Sequence, residues 1–371
     1  MNQFDLFDVS DDRDIEEAVE SLFSYYRENG FPNYNRELYD SMKVLEGIMN
    51  FDEDRVFNGF DVGQTMHGLG YLWTFFPHWI EITYRNQSNS LINNWNDDDK
   101  LRSLIRKTYI WQLKYGRGKF TENRLRQNAK VYCSKQSVSN FRPTAAKALY
   151  NRFGGGGVVW DMSAGWGGRL LGFMGSNCRF YYGTDPSSKS FNGLVELMSE
   201  FFDDNIMISQ NDAVGVGSSK SVKLVKSGSE CWSPPPNSVD LCFTSPPYFD
   251  TEHYSNEDTQ SFLKYNTRDA WLEGYLRQTI VNCRRSLKES GYLILNISNT
   301  PNHDWLESET LRIAEEEGFS LIFTYQLILS SISGKGVKRE PIFIFSNKTE
   351  PTKIDDIRFL IGEKESNFFG L

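Results

Sequence analysis

The spacing of hydrophobic and polar residues changes character near residue 139. Before it, apolar positions recur at helical spacing in patches such as residues 15–27. Aromatics crowd the following stretch, with Tyr71, Trp73, Phe75, Phe76, Trp79 and Tyr84, and a polar, Asn- and Asp-rich connector runs over 86–100. After Ser139, short apolar runs alternate with helical stretches. The runs 158–160, 179–182, 206–208, 239–243, 292–297, 321–329 and 341–345 predict seven strands. Phe191, Leu194, Val195, Met198 and Phe202 predict a helix between them. Trp271, Leu272, Tyr275, Leu276 and Ile280 predict a second, and Leu306, Leu311 and Ala314 a third. Such alternation predicts an α/β fold with a doubly wound, mostly parallel sheet. The last two strands lie too close together for a crossover helix, so they are expected to pair antiparallel. Residues 215–237, rich in Ser, Gly and Pro, predict a surface insertion before the fourth strand.

The change of pattern divides the 371 residues into an N-terminal accessory region (1–138), a mainly helical stretch, then an α/β domain (139–348) and a tail (349–371). With 39% hydrophobic and 15% aromatic residues the chain has material for a core, which excludes global disorder. No apolar run is long enough to predict a membrane span. Asp5 and Asp8 stand where a secretory leader would be basic, so a cytoplasmic location is expected. Cys133, Cys178, Cys231, Cys242 and Cys283 form no C-x-x-C pair. They read as free thiols in a reducing compartment, and no metal site is expected.

The net charge of −9 argues against a nucleic-acid partner until its distribution is considered. Residues 101–147 hold twelve Lys or Arg and one acid, Glu122, leaving −20 on the remainder. Phosphate binding needs a local positive surface, not a positive protein. Arg102, Arg106, Lys107, Lys114, Arg117, Lys119, Arg124 and Arg126 are the candidate contacts, with Trp111 and Tyr115 placed to pack or stack. A solvated helix face offsetting the acidic remainder is the alternative.

Two loops carry chemistry. Asp161-Met162-Ser163-Ala164-Gly165-Trp166-Gly167-Gly168-Arg169 follows a predicted strand and opens an apolar helix. Its glycines allow a tight turn and a close approach of backbone to ligand. Leu170 stands where a nicotinamide fingerprint requires Gly or Ala, so an NAD-binding loop is disfavoured. Asp185, at the end of the next strand, is placed to accept hydrogen bonds from a ribose diol. Asp212, after the third predicted strand, is placed to bind an adenine amino group. Each acid alone could equally cap a helix.

The second loop is Thr244-Ser245-Pro246-Pro247-Tyr248, at the end of the fourth predicted strand. Two prolines end the strand and fix where the loop carbonyls point. The amino nitrogen of a cytosine or adenine is a poor nucleophile, because its lone pair is delocalised into the ring. Two acceptors aimed at its N–H bonds favour a more tetrahedral nitrogen, and Ser245 Oγ with the Pro246 carbonyl can supply them. Tyr248 offers a face for stacking on an extruded base. With a sulfonium methyl donor, positioning does most of the work. Cytosine C5 chemistry is disfavoured, since it needs a nucleophilic cysteine, usually after a proline, and none of the five cysteines follows one.

These two segments resemble the amino-methyltransferase branch of the DNA methyltransferases, with its glycine-rich cofactor loop and (D/N/S)-P-P-(Y/F) catalytic loop. Asn140-Phe141-Arg142-Pro143-Thr144 resembles that family's preceding helix, and the motif order resembles its gamma arrangement. The resemblance covers roughly residues 139 to 347. It implies a class I methyltransferase-like fold and S-adenosyl-L-methionine as cofactor. It implies cofactor contacts from Phe141, Pro143, Thr144, Asp161, Ala164, Gly165, Gly167, Asp185, Asp212 and Thr244, and catalysis by Ser245, Pro246, Pro247 and Tyr248. DNA is the implied partner, with base flipping and a role in DNA methylation such as restriction-modification. The serine form of the tetrapeptide favours cytosine N4 over adenine N6. Little chain follows Phe345, so target recognition is expected from the N-terminal region, insertions or a partner. An RNA or tRNA base methyltransferase is the same-fold alternative. A non-catalytic nucleic-acid-binding protein on a degenerate methyltransferase fold is the other.

Overall fold

The computed structural model describes residues 4–5, 12–84, 90–115, 119–132, 139–202, 205–329 and 337–347; the side chains of Phe4, Asp5, Asp12 and Lys119 are not described. Two compact units interleave along the chain. One draws on Met1–Tyr34, Pro77–Ser139 and Glu252–Ser255, the other on Asn35–Phe76, Asn140–Thr251 and Asn256–Leu371. Asn35–Phe76, expected in the N-terminal region, thus belongs with the α/β unit. No helix among the described residues is long and apolar enough to cross a membrane.

The smaller unit is built on helices α1 (Asp12–Asn29), α2 (Asp98–Tyr115) and α3 (Glu122–Tyr132). Val19, Leu22 and Tyr26 of α1 and Leu101, Leu104, Ile105 and Thr108 of α2 are buried at i, i+3 and i+4 spacing. Phe31 meets Trp79 and Trp95 edge-on, at 5.9 and 5.0 Å between ring centres. Thr83–Tyr84 pairs antiparallel with Glu252–His253.

The larger unit is one sheet. Its strands are β1 (Phe57–Asn58), β2 (Asp61–Val62), β3 (Val158–Asp161), β4 (Phe180–Thr184), β5 (Ile206–Ile208), β6 (Asp212–Val216), β7 (Ser221–Val225), β8 (Val239–Thr244), β9 (Leu287–Asn296), β10 (Ser320–Ile328) and β11 (Arg339–Ser346). Their order is β1-β2-β10-β11-β9-β8-β3-β4-β7-β6-β5. The central strands β9, β8, β3, β4 and β7 are mutually parallel. β11 enters antiparallel between β9 and β10, and the last two strands pair with each other as expected. This is the class I methyltransferase-like α/β architecture, doubly wound and mostly parallel, extended by two short strands at one edge and a hairpin at the other.

The third parallel strand is a correction. It is β7, inside the stretch expected to be a surface insertion, and not 206–208. Val222 and Leu224 of Ser221–Val225 are buried, so period-2 alternation is present, but the surrounding Ser, Gly and Lys mask it. Residues 206–208 form the edge strand β5, with Met207 and Ile208 exposed.

Helices α4 (Pro143–Phe153), α5 (Gly168–Gly175), α6 (Ser188–Phe202), α7 (Gln278–Ser286) and α8 (Leu306–Glu316) complete the unit. Every residue of α5 is buried. A Cβ on Gly172 would lie 2.6 Å from Ala146 Cβ and 2.7 Å from the Pro143 carbonyl, so only glycine lets α4 and α5 approach this closely. The helix predicted around Trp271 to Ile280 contains a π-helical turn, Leu272–Arg277. Such turns often mark functional positions in a helix.

Candidate active site

The carboxyl ends of β3 and β8 lie side by side, in register at Leu241 with Val159 and Cys242 with Trp160. The loops that leave them are therefore neighbours, as a ligand site of an open α/β sheet requires. Gly165 and Gly167 adopt left-handed backbone, at φ +56° and +71°, and Gly167 caps the N-terminus of α5. A Cβ on Gly167 would lie 2.6 Å from Leu197 Cδ2, and one on Gly168 would collide with the Phe141 carbonyl.

Asp161 is fully buried. Its carboxylate accepts from Arg169 Nε and Tyr181 OH at 2.8 Å each, from Thr244 Oγ1 at 3.0 Å, and from Ser163 N at 3.3 Å. Arg169 also donates to the Ser163 carbonyl. Burial disfavours the Arg169 charge, but Asp161 holds its pKa above the ordinary value. Four protein donors fill the Asp161 acceptors, so this residue shapes the turn. Arg169, to which no sequence motif gives a role, is what compensates its charge. Ala164 N donates to the Thr184 carbonyl at 2.8 Å, tying the turn to β4.

Asp185 follows β4. Its carboxylate accepts from Gly165 N at 2.9 Å and from Ser187 N at 3.0 Å. Burial pushes its pKa up to about 7. Donors that reach this carboxyl would favour its ionised form and draw its pKa back down. Asp212 is placed differently from its expectation. It begins β6, antiparallel to β7, and its carboxylate accepts from Ser209 Oγ at 3.0 Å. The loop that follows the third parallel strand is instead Lys226 to Trp232. There Ser229 is buried, with Thr279 Oγ1 2.9 Å from its Oγ and Asn282 donating to its carbonyl.

The second loop leaves β8 at Thr244, whose Oγ1 accepts from Ser163 N at 3.1 Å while donating to Asp161. The glycine turn is thus hydrogen-bonded to the residue that leads into Ser245-Pro246-Pro247-Tyr248. Pro246 is buried; Ser245, Pro247 and Tyr248 are partly exposed. Immediately after Tyr248, Phe249 holds a left-handed backbone at φ +53° while buried. Bulky residues adopt that conformation only at a cost of roughly 1–3 kcal/mol.

The Asn140–Thr144 segment packs against the glycine turn and β8. Asn140 Nδ2 donates to the Trp166 carbonyl at 2.7 Å, and the Phe141 ring meets Phe243 of β8 edge-on at 5.3 Å. Pro143 begins α4, and buried Thr144 lies 3.0 Å, Oγ1 to Oγ1, from Thr65. Sequence reasoning missed Thr65, because it lies 79 residues from Thr144 and carries no motif. It also missed Tyr275, whose hydroxyl is 3.2 Å from Ser163 Oγ and which sits in the π-helical turn.

The basic residues divide by environment. Arg102 pairs with Glu20 at 2.7 Å and Arg106 with Glu16 at 2.5 Å. Arg126 donates to the Pro32 carbonyl at 2.9 Å, and its side chain is only 11% exposed. Arg126 is thus largely turned inward, whereas Arg102 and Arg106 keep partly exposed side chains within their ion pairs. Lys107 and Lys114 are exposed, over the rings of Tyr132 and Tyr115, and Arg124 lies 3.6 Å over Trp111. Lys107, Trp111, Lys114 and Tyr115 fall on one face of α2. Arg117 and the Lys119 side chain lie outside the described residues.

No family model and no curated protein matches the chain. Solved structures do. A TehB-like SAM-dependent methyltransferase from Corynebacterium glutamicum is 14% identical, over 52% of this chain and 81% of its own, with a TM-score of 0.32. Trm1 from Pyrococcus horikoshii, in complex with S-adenosyl-L-methionine, is 12% identical over 57% of each chain, with a TM-score of 0.36. A SAM-dependent methyltransferase from Methanosarcina mazei is 12% identical over 52% of this chain and 93% of its own, with a TM-score of 0.34. Similarity at this level carries no activity from one chain to another.

Proposed function

We propose that this chain is an S-adenosyl-L-methionine-dependent methyltransferase acting on an exocyclic amino group of a base in DNA, cytosine N4 before adenine N6. The observation that carries the reading is the hydrogen bond between the two loops, Ser163 N to Thr244 Oγ1 at 3.1 Å. It sets a left-handed glycine cradle beside a Ser-Pro-Pro-Tyr corner.

The residues present fit the cofactor. Gly165 and Gly167 keep the turn free of side chains, and the Asp185 carboxylate at its rim suits a ribose diol. Phe141, Pro143 and Thr144 would wall the methionine end. When bound, the cofactor supplies an electrophilic methyl on a good leaving group. Every other requirement falls on the protein. Ser245 Oγ and the Pro246 carbonyl accept from the amino N–H groups and hold the nitrogen lone pair on line. Tyr248 stacks on the base, and Phe249 excludes water behind it. Lys107, Lys114 and Arg124, with Trp111 and Tyr115, are the proposed nucleic-acid contacts.

The test is transfer of a tritiated methyl group to duplex DNA and to total RNA, followed by identification of the methylated base. Labelled DNA that Ser245→Ala depresses by about a hundredfold, with cofactor affinity unchanged, supports the reading. Label in RNA alone supports the RNA alternative, and absence of cofactor binding in calorimetry rejects both.

A further inference from the structure

Phe249 is an unusual residue for a left-handed corner, since it is neither glycine nor asparagine. Something must hold it there. The loop that follows β9 does so. Phe249 packs against His303 and Trp305 of that loop, at 5.3 and 5.9 Å between ring centres, and against Trp271 at 5.7 Å. The next residue, Asp250, accepts a hydrogen bond from His303 Nε2 at 2.6 Å. His303 is itself buried and fixed by reciprocal backbone bonds with Thr300, at 3.0 and 3.1 Å. Thr251 N closes the corner by donating to the Tyr248 carbonyl at 3.1 Å.

We infer that His303 is a positioning residue for the proposed reaction: through Asp250 and the ring of Phe249 it latches the strained corner that aims Tyr248 and the Pro246 carbonyl at the substrate. The inference rests on the methyl-transfer reading for its kinetic consequence, but not for its structural one. A short bond between buried His303 and half-buried Asp250, with a packed ring, offsets the backbone strain. Without them the corner relaxes toward an ordinary conformation, and the Pro246 carbonyl leaves its line. Substrate placement errors of about 1 Å cost about a hundredfold in rate. The glycine cradle and Asp185 lie on other strands, so cofactor binding is spared.

The test compares His303→Ala, His303→Gln and Asp250→Ala with wild type. His303→Ala and Asp250→Ala are each expected to lower kcat by about tenfold or more while leaving the cofactor Kd within about twofold. The double variant should be no worse than His303→Ala, which already removes both the bond to Asp250 and the ring against Phe249. His303→Gln, which keeps a donor, should recover most of the rate. Limited chymotrypsin digestion gives a readout that needs no substrate. Cleavage after Tyr248 or Phe249 should accelerate in His303→Ala and stay slow in His303→Gln. Wild-type kcat in His303→Ala overturns the latch, as does unchanged proteolysis. Additive losses in the double variant, or failure of His303→Gln to restore slow cleavage, also overturn it. A wild type that binds no cofactor overturns the methyl-transfer reading instead, and the digestion still decides the latch.

Discussion

Thr244 Oγ1 donates to Asp161 Oδ1 at 3.0 Å, joining the last residues of two adjacent parallel strands. The same hydroxyl accepts from Ser163 N, so one threonine couples the strand carrying the Ser-Pro-Pro-Tyr corner to the start of the glycine turn. Asp161, expected from the sequence to be a cofactor ligand, spends its acceptors on this network.

Asp161→Asn should therefore act on stability. It leaves the buried Arg169 guanidinium without a counter-charge, which costs about 3–5 kcal/mol. Thr244→Val removes a hydroxyl and should cost only about 1–2 kcal/mol. Urea unfolding of both variants checks the order, and equal losses would show that the Arg169 charge is compensated elsewhere.

The glycine turn should respond in graded steps. Gly165→Ala meets only the Ser163 carbonyl, at an ordinary contact distance of 3.7 Å, and adds mainly the left-handed backbone cost of about 1–2 kcal/mol. Gly167→Ala adds a clash with Leu197, and Gly168→Ala drives into the Phe141 carbonyl. Melting temperatures are expected to fall in the order Gly165, Gly167, Gly168, with Gly168→Ala the least stable.

Asp185 sets a pH dependence. Its folded pKa of about 7 exceeds the ordinary 3.8. Between those values the folded chain keeps a proton that the unfolded chain has lost. The free protein therefore loses stability as pH rises through that window, and the loss is complete above the folded pKa. Hydroxyl donors from a ribose favour the ionised form, so cofactor affinity should rise from about pH 6 to about pH 8 and then level off, with proton release near neutrality. Calorimetry in buffers of different ionisation enthalpy measures both. Asp185→Asn should bind weakly at every pH, and a wild-type profile as flat as that of the variant would refute the assignment.

The basic face of α2 and α3 should discriminate among its own residues. Lys107→Gln, Lys114→Gln and Arg124→Gln are each expected to weaken DNA binding. Each should also reduce the slope of log K against log salt by about 0.9 for every phosphate no longer neutralised. Arg126→Gln should lower the melting temperature instead, since its guanidinium is largely buried against the Pro32 carbonyl. Fluorescence anisotropy over a salt series separates the two behaviours. A common slope for all four variants would count against a phosphate-facing surface here.

The parallel sheet, its crossover helices and both site loops were legible in the chain. Runs of Val, Ile, Leu and aromatic residues with helical spacing between them have few alternative foldings. Gly165, Gly167 and the two prolines announce backbone geometries that other residues adopt poorly. The strand Ser221–Val225 escaped because five residues in a Ser- and Gly-rich setting give too weak an alternation to stand out. Asp212 opens the antiparallel strand beside it, opposite Val225 at its carboxyl end.

What the sequence determined on its own was local: where the chain runs extended, where it turns, and which residue types stand at those turns. Tertiary structure decided which of them meet. It alone joined Asp161 to Arg169 and Thr244, brought Thr65 to Thr144, set His303 against Asp250, paired Arg102 with Glu20 and Arg106 with Glu16, and turned Arg126 onto the Pro32 carbonyl. The physical reason is range. Backbone preference is written into a few neighbouring residues, whereas the partner of a buried charge or hydroxyl is fixed by strand order and packing, which no short window of the chain contains.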